Sequence, residues 1–504
     1  MNDFAIWIRG WRGDALVLLA GLVIPFAFAP WSIYPLAIFG VALFMLTLWQ
    51  TSSKRAFWRG WIFGLAMFAI GVSWVHVSMH RFGGVGIPLS MFITALFVMF
   101  LALFTAASAW MTQKLFSKTA QSVYFYALLL FPMNWMLWEW VRSWIFTGFP
   151  WLSIGYSQID SALSGYAPLW GVFSISLAVI WSAGALFCLI MLPSSKRYVI
   201  PAVLVLWLLP FGLNQLQWSD QEERSLQVSL IQGNIDQNMK WRPEQRLPTL
   251  ELYARLSREN WGKDLIIWPE TAIPAFYHQA KAYIGSLGQE ARMNGSELLI
   301  GLPIYDQSSK RYFNSVASVG AHEDFYEKRH LVPFGEYLPL PSLYGWFIET
   351  FDIPMSDFSP GVSEQSTLRV ASTEVGVTIC YEDLFGNEVI EALPAAKFLV
   401  NVSNDAWFGD SMAPHQHLEI ARMRAKETAR YLVRATNTGV SAIINEKGDV
   451  LATSPQFTTH VLSGEVQLRS GLTPFAVYGN LPFVGLLFLA LILATVFERR
   501  ARKD

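Results

Sequence analysis

Two hydrophobic patterns divide this chain. Up to about residue 213, and again from 480, apolar residues run together in stretches of about 20, the length a helix needs to cross a bilayer. Eight such stretches lie near 15–29, 31–49, 58–78, 86–110, 123–143, 167–192, 199–213 and 480–497. The first two are parted only by the Pro30 region, which leaves one broken hairpin as an alternative to two spans. Trp31, Tyr34, Trp49, Trp58, Trp74 and Trp110 crowd the ends of these stretches, as interfacial aromatic belts do. Met1–Leu22 has the outline of a signal peptide. It lacks a clear small-residue cleavage site and more apolar stretches follow at once, so it reads as retained.

Between 214 and 479 the pattern changes to short β-rich runs alternating with amphipathic ones. Strands are expected at Gln227–Gln232, Asp264–Trp268, Glu297–Gly301, Gly376–Cys380, Lys397–Val402 and Gly439–Asn445. Helices are expected at Pro243–Asn260, His278–Asn294 and, as one long element, His415–Arg434. Such alternation predicts an α/β domain with helices layered on sheet. The domain organisation is therefore 1–213 with seven transmembrane helices, 214–479 as a separate α/β domain, and 480–504 as an eighth helix with its tail.

Composition supports a membrane chain, since 15% of residues are charged against about 25% in soluble domains. Net charge is −1, which gives no reason to expect a nucleic-acid partner. With the N-terminus inside, the inner segments hold Arg9, Arg12, Lys54, Arg55, Arg59, Lys114, Lys118, Lys196, Arg197, Arg499, Arg500, Arg502 and Lys503. The outer short loops hold only Arg81 and Arg142. This bias predicts both termini in the cytoplasm and the 214–479 domain outside.

The candidate chemistry lies in that domain. Cys380 is its only cysteine, and the other, Cys188, falls within the sixth apolar stretch. An unpaired cysteine in an oxidising compartment is either inert and buried or a nucleophile. Here it closes the apolar run GVTIC and is followed by Tyr381, Glu382 and Asp383, a strand-to-turn setting whose backbone N–H groups suit a developing oxyanion. Glu270, after the strand in IIWPET, is placed like a base for such a thiol, or like an acid near a helix start. Lys328, in EKRHLVPFGE, is either an oxyanion partner or an ordinary surface charge, and Glu336 lies eight residues on, able to position it. His76 and His80 are spaced i, i+4 but show no third ligand, so no metal is expected. His415 and His417 read as local structure, and Glu139 and Arg142 as a possible i, i+3 pair. Gly83–Gly86 reads as a turn, and no cofactor-binding loop is recognised. The apolar Leu338–Phe347 reads equally as a lid dipping into a bilayer or as ordinary packing.

WPE around Glu270, EKRHLVPFGE around Lys328 and Glu336, and CYED around Cys380 resemble the nitrilase superfamily, an α-β-β-α sandwich with a Glu–Lys–Cys triad. Carried between apolar helices, and joined by WEWVRSWIFTGFPWLSIGYSQ, IQGNIDQNMKW, SNDAWFGD and QHLEIARMRAKETARYLVRATNTGVS, these motifs resemble the membrane-bound N-acyltransferases of bacterial lipoprotein maturation. The resemblance covers essentially the whole chain. It implies Cys380 as nucleophile, acylated from the sn-1 position of a phospholipid, Glu270 as base and acid, and Lys328 with the Tyr381 N–H at the oxyanion. It implies Glu336 and Glu382 as supporting carboxylates, and Trp241, Phe334, Trp407 and Phe408 as substrate-binding. The acceptor it implies is the N-terminal diacylglyceryl-cysteine of an apolipoprotein, and the location a multi-pass bacterial inner membrane protein, expected as a monomer, with a periplasmic catalytic domain. A membrane-tethered amidase with the same triad is the alternative.

Overall fold

The computed structural model describes residues 10–116, 122–337, 357–365 and 367–500, with side chains to 496. The apolar Leu338–Phe347 stretch lies outside the described residues. The chain forms two compact units, one of 1–76, 91–216 and 478–504, the other of 77–90 and 217–477.

The first unit is helical, with a helix at each of the eight apolar stretches. Ile87–Leu115, Val172–Met191 and Pro193–Leu213 are long and apolar enough to cross a membrane. Ser53–Gly71 qualifies only when counted with the short helix that follows its break, and Pro35–Leu48 and Leu481–Val496 are shorter apolar helices. Close packing here depends on small residues. A Cβ at Gly60 would stand 2.6 Å from the Thr105 carbonyl oxygen, and one at Gly64 2.2 Å from Thr105 Oγ1. Glycines four apart thus let two helices touch through their backbones, and Thr105 Oγ1 donates to Gly60 O at 2.8 Å. Glu139 and Arg142 are both buried and serve the turn that follows their helix. Glu139 Oε2 accepts from Trp135 Nε1 and from the Ile154 N–H, while Arg142 donates to the carbonyls of Phe149 and Trp151.

The second unit contains two six-stranded sheets. The first consists of β1 (Asp220–Gln232), β2 (Leu265–Ile267), β3 (Glu297–Asp306), β4 (Arg311–Val319), β5 (Phe325–Glu327) and β12 (His460–Ser470), in the order β12-β1-β2-β3-β4-β5. The second consists of β6 (Leu368–Val370), β7 (Thr373–Ile379), β8 (Phe398–Ser403), β9 (Leu432–Thr436), β10 (Ala442–Ile444) and β11 (Val450–Thr453), in the order β11-β10-β9-β8-β7-β6. At the centre of each, three strands run parallel, β1-β2-β3 and β7-β8-β9. Leu230, Ile267 and Val316 of one sheet meet Val377, Val400 and Val433 of the other in a shared core. The outer face of the first sheet is covered by helices Pro243–Arg258 and Tyr277–Met293, and that of the second by Ala413–Thr428. The layers are therefore α-β-β-α.

Some expected elements are shorter than their patterns: the strand expected at Gly439–Asn445 covers only Ala442–Ile444, and a helix stops early. The helix expected over His415–Arg434 stops at Thr428, and Leu432–Thr436 is strand β9. Ala429 takes a left-handed conformation at φ 49°, and the Arg430 guanidinium is drawn inward to the carbonyls of Ala396 and Gly471. That buried anchorage outweighs the helix-favouring sequence.

Candidate active site

Strand ends build the site. In the first sheet β2 runs into Trp268–Pro269–Glu270, and this turn lies directly on β3. Ala272 N–H donates to Gly301 O at 2.8 Å, and a Cβ at Gly301 would stand 2.2 Å from the Pro269 carbonyl oxygen. Only glycine at 301 lets the turn lie that close. β5 then delivers Lys328, whose N–H donates to Asn314 O on β4 at 2.7 Å.

Lys328 is 1% exposed, and its ammonium is set between two carboxylates. Lys328 Nζ is 2.8 Å from Glu336 Oε2 and 3.7 Å from Glu270 Oε1. Asn314 Nδ2 joins the two acids, donating to Glu270 Oε1 at 2.7 Å and to Glu336 Oε1 at 3.0 Å. Burial disfavours the Lys328 charge, but Glu336, Glu270 and Cys380 outweigh it and hold the pKa above the ordinary lysine value. Glu336 Oε2 also accepts the Val332 N–H at 2.8 Å, which fixes the turn after Lys328.

In the second sheet β7 ends at Ile379, and Cys380 opens a short 3₁₀ turn, Cys380–Leu384. Cys380 has φ 52°, a left-handed conformation costly for a residue with a Cβ. Burial raises the thiol pKa above its ordinary value, as does the Glu270 charge; Lys328 and a hydrogen bond with Ser403 act in the opposite sense. Cys380 thus lies within the electrostatic reach of both.

Glu382 ties the two halves together. Oε2 accepts from the Ile379 N–H at 2.7 Å and the Tyr326 hydroxyl at 3.1 Å, and Oε1 from the N–H groups of Arg329 at 2.6 Å and His330 at 3.2 Å. One buried carboxylate therefore holds the strand before Cys380 against the segment after Lys328. Burial raises its pKa against the pull of these bonds. Tyr381 is buried, edge-on to Phe385 at 5.3 Å.

The aromatic candidates are placed differently from one another. Trp407 and Phe408 end the 3₁₀ turn Asp405–Phe408 after β8 and are half-buried. Trp407 meets the 77–90 segment: Ser78 Oγ donates to its carbonyl at 2.8 Å and the Phe82 ring packs edge-on at 5.5 Å. Trp241 is half-buried in the turn before helix Pro243–Arg258. Phe334 is 55% exposed, in the turn fixed by Glu336.

Some site residues escaped the sequence reading. Asn314 is one; it lies within β4 between Phe313 and Ser315, and nothing in the sequence sets it apart. Lys240 is another, 2% exposed, with Nζ 3.5 Å from the Glu270 carbonyl oxygen; burial lowers its pKa to about 8 against the Glu270 charge. Behind Cys380 lies a buried cluster of Asp383, Asn401, Asp405, His417 and Arg434. His417, read as local structure, belongs to it.

The arrangement can deprotonate a thiol, hold a negative charge beside it and exclude water. Comparison with known proteins gives the same class of chemistry. Residues 20–185 match the apolipoprotein N-acyltransferase N-terminal domain, and residues 227–471 match the carbon-nitrogen hydrolase family. The chain is similar to the apolipoprotein N-acyltransferase of Methylococcus capsulatus, 42% identical over 97% of this chain and 96% of that one. The Nitrosomonas europaea enzyme of that name is 43% identical over 95% and 97%. The Vibrio cholerae enzyme of that name is 41% identical over 96% and 96%.

Proposed function

The chain belongs to the apolipoprotein N-acyltransferase family, and from that premise we propose how its residues carry the reaction. The enzyme is an acyltransferase that N-acylates lipoproteins, with a phospholipid as acyl donor. Cys380 is the nucleophile. As Sγ attacks the sn-1 ester carbonyl, its proton passes to Glu270 and the S–C bond forms. The oxyanion meets the Lys328 ammonium and the Tyr381 N–H. The C–O bond to glycerol then breaks, Glu270 returns the proton to that oxygen, and lysophospholipid leaves a thioester on Cys380. In the second half-reaction the α-amino group of a diacylglyceryl-cysteine attacks the thioester. Glu270 takes the amine proton, the C–N bond forms, the C–S bond breaks and the thiol regains its proton. The cycle is ping-pong.

The observation that carries this reading is the buried Glu270–Lys328 pair, with half-buried Glu336 on the ammonium, set against a strained, buried Cys380. A thiol kept protonated until attack, with its base and cation already in place, suits a thioester that must wait for an amine in a dry site. Glu336 keeps Lys328 charged, Glu382 fixes the elbow, and Trp241, Phe334, Trp407 and Phe408 contribute the apolar surface for acyl chains. The strong bias of basic residues supports eight spans in a bacterial inner membrane, both termini in the cytoplasm and the 214–479 domain in the periplasm. The working unit is taken as a monomer.

The test is incubation of the whole enzyme with phospholipid labelled in the sn-1 chain. The expected result is a hydroxylamine-labile label on the Cys380 peptide, absent from Cys380→Ala and discharged by a diacylglyceryl peptide with a free N-terminus. Equal discharge by water alone would favour an amidase. A wild-type enzyme that takes no label would overturn the phospholipid-donor mechanism.

A further inference from the structure

The Cys380 carbonyl is held by side chains rather than by a strand. β7 pairs with β8 up to Ile379 and Val402, and the left-handed turn at Cys380 then carries its carbonyl out of the ladder. In that buried place the oxygen accepts from Asn401 Nδ2 at 3.3 Å and from His417 Nε2 at 3.2 Å. The donors come from separate elements, Asn401 from β8 and His417 from helix Ala413–Thr428. His417 is 1% exposed and Asn401 fully buried.

The surrounding charges fix both donors in direction. His417 Nε2 also faces Asp383 Oδ1 at 2.9 Å, so its partners there are acceptors and Nε2 carries a proton. Nδ1 lies 3.1 Å from Asp405 Oδ1. Arg434 Nη1 donates to Asn401 Oδ1 at 2.5 Å, which turns the Asn401 amide so that its NH₂ faces Cys380. Arg434 Nη2 binds Asp405 Oδ2 at 2.9 Å, and Nη1 binds Asp383 Oδ2 at 3.3 Å. Asp383, Asp405 and Arg434, all buried, thus orient two N–H groups onto one carbonyl.

We propose that His417, with Asn401, is a positioning residue for the nucleophile, holding the Cys380 carbonyl so that the left-handed backbone aims Sγ at the donor ester. The proposal rests on Cys380 being the nucleophile. Without these donors the carbonyl is buried and unsatisfied, and the relaxation that restores a partner is a rotation toward the β8 ladder. That rotation moves Sγ away from its base, and a misplacement of about 1 Å costs on the order of 100-fold in rate. His417 touches neither substrate nor the reacting atoms, so its effect falls on the acylation rate and leaves lipid affinity unchanged.

The experiment compares wild type, His417→Leu, His417→Gln and Asn401→Asp as full-length enzyme in phospholipid micelles. It measures the rate and final extent of sn-1 label on Cys380, the KM for phospholipid and the unfolding midpoint. His417→Leu and Asn401→Asp are expected to slow acylation about 100-fold at unchanged final extent and KM. His417→Gln, which keeps an N–H near the Nε2 position, is expected to recover most of the rate. A wild-type rate in His417→Leu overturns the proposal, as does a folded His417→Gln as slow as His417→Leu. If His417→Leu does not fold, the decision passes to the other two: a fast Gln variant with a slow Asp variant supports positioning, and any other pairing overturns it. A rate that falls only in proportion to the fraction folded also overturns it. Failure of the wild type to take label contradicts the nucleophile assignment instead. Alkylation of the Cys380 peptide by a neutral maleimide then still reads the thiol's position, with the same expected order of variants.

Discussion

Replacing Glu336 with glutamine tests how the site keeps its cation. Lys328 faces Glu336 at 2.8 Å and Glu270 at 3.7 Å. At an effective dielectric of about 20, those distances correspond to attractions of roughly 6 and roughly 4.5 kcal/mol. Glu336 is thus the stronger partner, and its removal leaves a buried ammonium that depends on Glu270 alone. Loss of one partner from a buried pair costs about 3–5 kcal/mol, and the remaining acid places the expected value near the lower end. The kinetic effect is expected to be larger than the loss of stability suggests. With Glu336 neutral, the ammonium is expected to turn toward Glu270 and occupy the carboxylate proposed to take the thiol proton. Single-turnover acylation of Cys380 should slow by about 100- to 1000-fold, the scale for loss of one preorganised oxyanion contact, while denaturant unfolding reports the stability. A Glu336→Gln enzyme that acylates at the wild-type rate with an unchanged unfolding midpoint would refute the idea that the second acid sets the lysine.

Glu382→Gln should damage the fold to a similar extent. Its carboxylate accepts four hydrogen bonds, three from backbone N–H groups, and an amide NH₂ in place of one oxygen leaves buried donors facing a donor. At about 1–3 kcal/mol for each unsatisfied group, a drop in unfolding free energy of about 3 kcal/mol is expected, with acylation lost in parallel. The Cys380 pH profile should differ from that of a free thiol. Burial and the Glu270 charge raise its pKa above the ordinary value of about 8.5, so it stays protonated through neutral pH. Its alkylation rate should then show no titration step between about pH 7 and 9; a step there would contradict a buried, neutral resting thiol.

The layered architecture is legible in the sequence because apolar strands and amphipathic helices alternate with little ambiguity between 227 and 302. The end of helix Ala413–Thr428 is not. The stretch ETARYLVRAT carries no glycine or proline to stop a helix, and its arginines look like a solvated face. Arg424, Arg430 and Arg434 are instead all buried, each held by partners distant in sequence or on the next turn. Motif residues such as Glu270 and Cys380 announce themselves because a polar group follows an apolar run, whereas Lys328 follows Glu327 and is marked only by the apolar LVPF shortly after it. Asn314 and Asn401 do not, since each lies within a strand and only the paired sheets reveal what its amide faces. The inclusion of 77–90 in the second unit is likewise a matter of tertiary packing.

That segment has a consequence for how the protein is made. Ser78 and the Trp407 carbonyl it binds are 329 residues apart in the chain. At a synthesis rate of about 5–20 residues per second, roughly 16–65 seconds pass between the two leaving the ribosome. Throughout that interval Phe82 has no Trp407 ring to pack against, and the segment must remain open to receive it. A nascent chain stalled before residue 407 would therefore expose 77–90 to protease, and release of the stall should protect it.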